Sequence, residues 1–347
     1  MKILSIETSC DETAAAIISK ELQNDHITIL SNVVASSFAL HSKTGGIVPE
    51  IAAREQLKFI IPVIEKAIEN CLPTEEGKLK IENLDAIAVT VGPGLIGSLL
   101  IGIETAKTLA YIWKKPIIPV NHLLGHIYAN FIQTTNHKQL TINFPALALL
   151  VSGGHTDLVL LKSHTEFKWI GGTLDDAAGE AFDKIGRLLD LPYPGGPSIE
   201  KVSKKGVIGS FVFPRPMIGS KDFNFSFSGL KAAVAREIIK LEKLNEQQVA
   251  DISKATQNSI IQVLIRKTVK AAKEYNVKSI LLGGGVAANQ KLKEKMYSQL
   301  STLNLQLHVP PAHLCTDNAV MIGAYAAFHY KPILWKNITA NPQLYFN

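Results

Sequence analysis

The chain has 347 residues, of which 46% are hydrophobic and 19% are charged. This length and composition predict two domains of ordinary size and exclude a peptide, a small disulfide-stabilised scaffold and a disordered chain. The net charge of +6 is unevenly spread, because residues 1–145 carry −2 and residues 146–347 carry +8, which is typical of a phosphate-binding surface or of solvated helix faces.

The N-terminal residues and the cysteines bear on cellular location. The chain passes directly from Met1 into a strand-like run with no apolar signal core and no cleavage site. No stretch of about 18 unbroken apolar residues occurs. Cys10, Cys71 and Cys315 form no C-x-x-C pair, which suits free thiols in a reducing compartment. We therefore expect a cytoplasmic protein that does not cross a membrane.

The predicted elements form a faint internal repeat. Residues 3–6 and 14–18 predict a hairpin around a polar turn, and residues 146–151 and 158–161 predict a second hairpin. Later in the chain, each hairpin is followed by a strand, a glycine turn and a helix pattern. The strands and turns are 85–91 with 92–97, and 278–282 with 283–285. This order predicts an α/β protein built from two related halves.

The two halves differ in length between hairpin and strand. We assign the excess in the second half to an insertion at about 171–221, which is rich in Pro and Gly turns. Residues 133–143 are polar and unpatterned, which predicts a linker. The expected domains are 1–132, joined by a C-terminal return helix at 318–347, and 133–317.

Glycine turns follow three of the predicted strands. Glycine lets the backbone approach a ligand closely, and unpaired N–H groups at such turns form an anion cradle. For any single one of these loops, a tight turn without a ligand is the favoured interpretation. Three such turns, arranged by an internal repeat, favour a site for the phosphates of a nucleotide.

A histidine pair follows the extended run 116–120. Asn121 is expected to cap a helix that carries His122 and His126 on one face, close enough to share a metal ion. Leu123 stands where H-E-x-x-H would have its glutamate, so the pattern does not support metalloprotease chemistry. Asp317, which precedes a Gly/Ala-rich helix pattern, is a candidate third ligand. The alternative is a surface histidine pair without a metal.

Carboxylates cluster in the insertion. Residues 173–184 predict one helix with Asp176, Glu180 and Asp183 on neighbouring turns. We assign Asp175 and Asp176 to a structural role near the positive end of that helix. Asp183 is the candidate for binding the ribose hydroxyls of a nucleotide.

Ten blocks of this sequence resemble the tRNA N6-adenosine threonylcarbamoyltransferase family, which includes bacterial TsaD and was once described as O-sialoglycoprotein endopeptidases. The resemblance runs from end to end and keeps the family's order. The blocks are Ile6–Thr13, Gly45–Glu50, Gly92–Leu95, Lys107–His126, Val151–Thr156, Asp175–Lys184, Tyr193–Pro197, Phe225–Lys231, Gly284–Asn289 and Cys315–Asn318.

The resemblance implies the duplicated two-lobe architecture of actin, Hsp70 and sugar kinases. It also implies transfer of the threonylcarbamoyl group from threonylcarbamoyl-AMP to N6 of adenosine 37, in tRNAs reading codons that begin with A, with release of AMP. It makes His122, His126 and Asp317 the ligands of one divalent metal ion, Fe²⁺ in the family, with Zn²⁺ as the alternative. The residues implied to hold the adenylate are Leu150, Val151, Ser152, Gly153, Gly154, Asp183, Gly196, Glu200 and Asn289.

Asp11 and Glu12 are candidates to accept the proton of the attacking amine, although turn formation explains them equally well. Leu124 and Gln56 stand where many family members have Glu and His, and neither is a metal or nucleotide position. The resemblance implies tRNA and threonylcarbamoyl-AMP as substrates. It implies two protein partners, a shorter metal-free TsaB-like paralogue and a small TsaE-like P-loop ATPase.

Three other functions compete with the transferase. An ATPase or small-molecule kinase of the same fold would use Mg²⁺, which prefers carboxylates and water to histidines. A metallopeptidase lacks its glutamate and does not explain the nucleotide-binding features. A non-enzymatic scaffold is disfavoured by the intact metal triad, because the family's inactive paralogues lack that triad.

Overall fold

A computed structural model of the chain describes residues 1–21, 26–71, 79–132 and 141–346. The chain divides into two compact units, one formed by Met1–Gln139 with Ala312–Asn347 and the other by Leu140–Pro311. These limits differ by a few residues from the 132/133 and 317/318 limits expected from the sequence. Most of the expected linker at 133–143 lies outside the described residues.

The first unit contains five strands and four α-helices in its described residues up to 132. Its elements up to residue 132 are β1 (Lys2–Glu7), β2 (Glu12–Lys20), β3 (Ile27–Ser36), α1 (Phe38–Thr44), α2 (Pro49–Glu69), β4 (Ala86–Gly92), α3 (Ile96–Trp113), β5 (Ile117–Asn121) and α4 (His122–Tyr128). The predicted hairpin, the strand and helix around the glycine turn, and the strand before the histidine pair are confirmed.

The described residues of this unit form a five-stranded mixed sheet with the order β3-β2-β1-β4-β5. Strand β2 is antiparallel to β1 and β3, whereas β4 and β5 run parallel to β1. Helices α2 and α3 pack on the sheet through one buried apolar cluster. On α2 the buried residues Ile60, Val63, Ile64 and Ala67 recur at helical spacing, which gives the helix its apolar face.

Strands β1, β4 and β5 are parallel, so their carboxyl ends meet at one edge of the sheet. Glu7 ends β1, Gly92 ends β4 and Asn121 ends β5, directly before α4. This edge is the usual place for a ligand in an open α/β sheet. In the first unit, polar side chains such as Glu7 and Asn121 stand at this edge.

The second unit repeats this arrangement and adds helices. Its elements are β6 (Ala146–Val151), β7 (Thr156–Leu161), β8 (Phe167–Gly172), α5 (Ala178–Leu188), α6 (Gly195–Ser203), α7 (Ser228–Leu241), α8 (Glu246–Glu274), β9 (Ser279–Gly283), α9 (Gln290–Ser301) and β10 (Gln306–His308). In the described part of the unit, the sheet order β8-β7-β6-β9-β10 has the strand directions of the first sheet.

Residues 312–346 return to the first unit and contain α10 (Ala312–Cys315) and α11 (Ala319–Phe328). Helix α11 is apolar on all sides and is buried against β1, β2 and α4. The expected return helix over 318–347 is therefore wrong in length. After Phe328 the chain reaches Pro332, which has no N–H for a further helical turn, and Ile333 instead bridges to Ile117 of β5.

The expected single helix over 173–184 is also corrected. Helix α5 begins at Ala178, so Asp175 and Asp176 precede the helix and do not lie on it. The segment 171–221 contains the end of β8, α5 and α6 as well as irregular chain. Within the described ranges, no helix combines the length and the apolar character that a membrane span requires.

Candidate functional site

Three side chains of the first unit converge at the edge where its parallel strands end. One ligand atom each from His122, His126 and Asp317 lies within 4.8 Å of the others. The Nε2 atoms of His122 and His126 lie 3.6 Å and 3.1 Å from the same oxygen, Asp317 Oδ1. The two rings are nearly perpendicular, with centroids 4.7 Å apart. The sequence-predicted triad therefore comes together within one unit.

Local sequence positions each member of this triad. The Asn121 side chain accepts hydrogen bonds from the backbone N–H groups of Leu123 and Leu124, so α4 starts at His122. One turn later, His126 projects on the same side. Gly125 lets α4 lie close to α11, because a Cβ there would come within 2.9 Å of Ile322 Cδ1.

The third member stands on the turn between α10 and α11. Asn318 caps α11 by accepting from Met321 N at 3.1 Å, and its Nδ2 donates to the carbonyl of Thr316 at 2.7 Å. These bonds hold both neighbours of Asp317, whose side chain is about one-fifth exposed. The carboxylate is consequently presented to the histidines by a fixed turn.

The donor set fits a divalent cation. Neither ring nitrogen of His126 forms a hydrogen bond with any described residue, although the side chain is buried. A metal with ligands at ~2.0–2.2 Å separates neighbouring donor atoms by roughly 3–3.5 Å, and the histidine-to-carboxylate distances of 3.1 and 3.6 Å are close to that range. Two imidazoles and one carboxylate suit iron or zinc.

Glu7 is a residue of this site that the sequence reasoning missed. It is fully buried at the end of β1, and its Oε2 lies 3.1 Å from His122 Nδ1. Thr90 Oγ1 donates to the same oxygen at 2.5 Å, and the backbone N–H of Ser9 donates to Oε1 at 2.6 Å. A glutamate at the end of a strongly apolar strand was the available signal, since buried carboxylates need partners.

The electrostatics of the cluster follow from burial and from its several carboxylates. Burial disfavours the charged imidazole of His122, but Glu7 and Asp317 outweigh this effect and raise its pKa to about 9. Burial raises the pKa of the Glu12 carboxyl well above its usual range, and the charges of Asp317 and Asp11 add to the shift. The turn that carries Asp11 and Glu12 is thus electrostatically coupled to the triad.

Gln56 of α2 secures that turn. Its Nε2 donates to the carbonyl oxygens of Cys10 at 2.9 Å and Glu12 at 3.0 Å, and the residue is buried. The Gln56 side chain, at a position where the sequence predicts a departure from the family pattern, therefore hydrogen-bonds to the polar turn. Leu124, the other departure, is buried on α4.

The second unit places glycine turns at the corresponding edge of its own sheet. Strands β6 and β9 are parallel and adjacent, so the turn at Ser152–Gly154 and the turn at Gly283–Gly285 meet. Gly284 has φ 86° and ψ 163°, a conformation essentially restricted to glycine, and a Cβ there would come 2.4 Å from the Val151 carbonyl oxygen. A Cβ on Gly153 or Gly154 would meet nothing within 4 Å.

The start of α5 closes against the first of these turns. The backbone N–H of Gly179 donates to the Ser152 carbonyl at 3.1 Å, and a Cβ on Gly179 would come 2.8 Å from Gly153 N. The Ser152 hydroxyl accepts from the backbone N–H of His155. Leu150 and Val151 are buried in β6, so only their backbone groups are available at the turn.

The remaining predicted substrate residues are engaged in local structure. Asp183 Oδ1 accepts from Gly195 N at 2.7 Å, at the start of α6 beside Gly196. Asn289 caps α9 through Leu292 N, and its Nδ2 donates to Gln257 Oε1 at 3.0 Å. Glu200 Oε1 accepts from Gln290 N at 2.8 Å. Asn289 and Glu200 therefore meet at the start of α9, held in part by Gln257, which the sequence reasoning missed.

Asp175 has a structural role different from the expected one. Its Oδ1 accepts from the backbone N–H groups of Phe227 and Ser228, and its Oδ2 accepts from the hydroxyls of Ser226 and Ser228. It therefore caps α7, which is distant in sequence, and not the helix that follows it. Asp176 pairs with Lys184 of α5 at 2.6 Å.

Sequence comparison agrees with this set of residues. The family model for tRNA N6-adenosine threonylcarbamoyltransferase, TsaD, matches residues 28–324. The protein of that name from Syntrophomonas wolfei is 46% identical over 328 residues, covering 94% of this chain and 92% of its own length. The Bacillus subtilis protein of the same name is 49% identical over 328 residues, covering 93% of this chain and 89% of its own length.

Structural comparison bears on the fold alone. Full-length HypF in its phosphate- and nucleotide-bound form matches 95% of this chain with a TM-score of 0.61 and 13% sequence identity. The match spans less than half of HypF, at 46% of that chain. The sequence matches, by contrast, are nearly full-length and far above the level of a shared fold, and they show that the chain belongs to the tRNA N6-adenosine threonylcarbamoyltransferase family, which forms threonylcarbamoyladenosine in tRNA.

Proposed function

We propose that the chain transfers the threonylcarbamoyl group from threonylcarbamoyl-AMP to N6 of adenosine 37 in tRNAs reading codons that begin with A, and that it releases AMP. Family membership supports the reaction class. The convergence of His122, His126 and Asp317 carries the proposal at the level of chemistry. The relatives' names do not favour an ATPase, a small-molecule kinase or a metallopeptidase.

The metal in this proposal is one divalent ion, Fe²⁺, with Zn²⁺ as the alternative. Two histidines and one carboxylate are the donor set of non-haem Fe(II) sites that leave positions open, and zinc accepts the same donors. When bound, such an ion supplies Lewis acidity that makes the transferred carbonyl more electrophilic. This matters because an exocyclic amine is a weak nucleophile. His122, His126 and Asp317 would hold the ion at the strand ends of the first unit.

The adenylate is proposed to bind to the second unit, at Leu150, Val151, Ser152, Gly153, Gly154, Asp183, Gly196, Glu200 and Asn289. The open space beside Gly153 and Gly154 supports close approach of a phosphate to backbone N–H groups. Asp183 would act partly by holding the Gly195 backbone, which orders the start of α6, where Gly196 lies. Asn289 would present its amide from the start of α9, fixed by Gln257.

Asp11 and Glu12 are the proposed acceptors of the amine proton. Asp11 lies on the turn after β1 and Glu12 begins β2, where the charges of Asp317 and Asp11 both raise the pKa of the Glu12 carboxyl. The raised pKa of the Glu12 carboxyl makes its carboxylate a stronger base than that of an ordinary glutamate. Gln56 holds the backbone of this turn, which keeps the candidate acceptors in place.

The finer architecture and the partners belong to the same proposal. The matching strand order of the two sheets supports the duplicated actin, Hsp70 and sugar-kinase architecture, with the units as its lobes and an insertion near 171–221 in the second. The packed helices α2 and α3 expose Leu57, Ile61, Ile96 and Leu100, which supports docking of a TsaB-like paralogue. A TsaE-like ATPase and a cytoplasmic location complete the proposal.

A nucleoside assay tests this function. Purified protein, as isolated and after chelation, is incubated with unmodified adenosine-37 tRNA, threonylcarbamoyl-AMP and the two proposed partners, and the digested RNA is examined by mass spectrometry. We expect threonylcarbamoyladenosine that disappears after chelation, returns with Fe²⁺ and is absent with His122→Ala. His26→Ala is the matched control, since His26 precedes Ile27, which pairs with Lys20 at the end of the sheet opposite the triad.

The outcomes separate the parts of the proposal. If threonylcarbamoyladenosine still forms after chelation and with His122→Ala, the metal site is rejected and the transferase function stands. Absence of product from folded wild-type protein in complex with both partners would reject the transferase, and ATP turnover would then be the next measurement.

A further inference from the structure

Glu7 makes more contacts than the turn around it requires. The chain turns after β1, and the Ser9 N–H that begins this turn bonds to Glu7 Oε1 at 2.6 Å. The other oxygen, Oε2, takes no part in the turn. It receives the Thr90 hydroxyl from β4 at 2.5 Å and faces His122 Nδ1 at 3.1 Å. A role in the turn alone would not explain the contacts that Oε2 makes with Thr90 and His122.

The environment of Glu7 fixes the direction of these bonds. The side chain is fully buried, and both Thr90 Oγ1 and Ser9 N approach it as donors. A carboxylate that already receives two donors acts as an acceptor for the ring nitrogen as well. The proton of a neutral His122 ring therefore sits on Nδ1, and Nε2 is left with its lone pair on the side of Asp317 Oδ1.

We propose that Glu7 is a positioning residue for the metal, which fixes the tautomer and the ring orientation of His122 through Nδ1, and that Thr90 in turn fixes Glu7. This inference rests on the proposed metal site. It adds two residues, from β1 and β4, to a triad drawn from α4 and the α10–α11 turn.

The proposal explains why a buried negative charge is tolerated at the end of β1. A carboxylate paired with the second nitrogen of a ligating histidine makes the first nitrogen a stronger donor to the metal. The hydroxyl of Thr90 and the N–H of Ser9 donate two further hydrogen bonds to the carboxylate, so the charge is buried with its partners. His126 has no such carboxylate among the described residues, since its Nδ1 has no hydrogen-bond partner there.

Metal affinity tests the inference without reliance on turnover. Metal-free full-length protein is titrated with Co²⁺ in competition with a chromogenic chelator, and the visible spectrum of the cobalt form is recorded. We expect Glu7→Gln to weaken Co²⁺ binding by ~10–100-fold, the usual loss for an outer partner of a metal ligand, and to shift the spectrum. Thr90→Val should shift both readouts in the same direction by less.

The controls exclude a general loss of structure. Glu104→Gln makes the same chemical change on α3, where the side chain is exposed and paired with Lys107, and should leave Co²⁺ binding unchanged. Thermal unfolding of the metal-free proteins checks folding. If Glu7→Gln does not fold, Thr90→Val still tests the inference, because it keeps the carboxylate and removes only one donor.

The results distinguish the positioning role of Glu7 from the metal site itself. Wild-type affinity and spectrum in both Glu7→Gln and Thr90→Val would overturn the positioning role and leave the metal site standing. Failure of the wild-type protein to bind Co²⁺ would overturn the metal site and this inference together. Weaker binding with an altered spectrum in folded Glu7→Gln, but not in Glu104→Gln, would support it.

Discussion

The two sheets have the same strand order and directions, yet the first presents polar side chains at its strand ends and the second presents backbone. In the first unit the edge holds side chains, with Glu7 at the end of β1 and His122 directly after β5. In the second unit the same edge holds backbone, with open space beside Gly153 and a left-handed turn at Gly284. One frame therefore supports both a side-chain site and a backbone site.

The difference predicts how each site can be damaged. The first site depends on contacts between residues far apart in sequence, such as the 115-residue separation between Glu7 and His122, and it fails when a functional group is removed. The site proposed for the second unit depends on the absence of side chains, so it should fail when a Cβ is added. Removal of a side-chain functional group should therefore disrupt the metal triad of the first unit, and addition of a methyl group should disrupt the glycine turns of the second unit.

The largest expected effect comes from removing a ligand in the first unit. His126→Ala leaves one histidine and one carboxylate, so metal affinity should fall by more than the ~100-fold upper limit for losing an outer partner. Transfer activity should fall with it. Co²⁺ titration of the metal-free protein and the nucleoside assay measure the two effects. Retained affinity would show that the ion does not use His126 as a ligand.

An intermediate effect is expected from adding a methyl group to Gly284. The φ of 86° and ψ of 163° cost a residue with a Cβ about 1–3 kcal/mol. The approach to 2.4 Å from the Val151 carbonyl oxygen adds to that cost. We therefore expect Gly284→Ala to lower the free energy of unfolding by at least this amount in urea titration. Gly219→Ala is the control, since a Cβ there meets nothing within 4 Å.

Gly153→Ala tests the proposed adenylate site of the second unit separately from the stability of the fold. A Cβ at this position also meets nothing within 4 Å, so the free energy of unfolding should change by less than ~0.5 kcal/mol. If the adenylate binds against this backbone, the methyl should nevertheless weaken binding of threonylcarbamoyl-AMP, measured by calorimetry. Unchanged affinity in this variant would move the phosphate site away from the Ser152–Gly154 turn.

Local sequence predicted much of this structure, and non-local contacts explain what it missed. The hairpins, the helix that begins at His122 and the turn at Gly284 are specified by neighbouring residues, through alternation, an Asn cap and glycine. The bond between Thr90 and Glu7 joins residues 83 apart and becomes visible only when β1 and β4 pair. Similarly, Asp175 was assigned to its own helix because its partners, 51 to 53 residues away, were not foreseeable.

Asp175 gives the smallest expected effect and separates a structural carboxylate from the proposed ligand carboxylate of the first unit, Asp317. Burial alone would raise its pKa, but the hydroxyls of Ser226 and Ser228 and two backbone N–H groups outweigh burial and lower it. A lowered pKa stabilises the fold above the unfolded value of ~3.9, and that contribution is lost as the pH falls through the folded pKa. Because Asp175 is exposed, Asp175→Asn should cost about 1 kcal/mol at neutral pH, as for a helix cap.

Urea titration at a series of pH values tests this assignment. The difference in unfolding free energy between wild type and Asp175→Asn should be constant from pH 7 to ~5 and should shrink below ~4, where the wild-type carboxylate itself becomes protonated. Ser226→Ala removes one of the four donors and should show a smaller loss over the same range. Co²⁺ affinity should stay unchanged in both variants, because α7 belongs to the second unit. A loss that is independent of pH would mean that the shape of the cap, and not its charge, holds the start of α7.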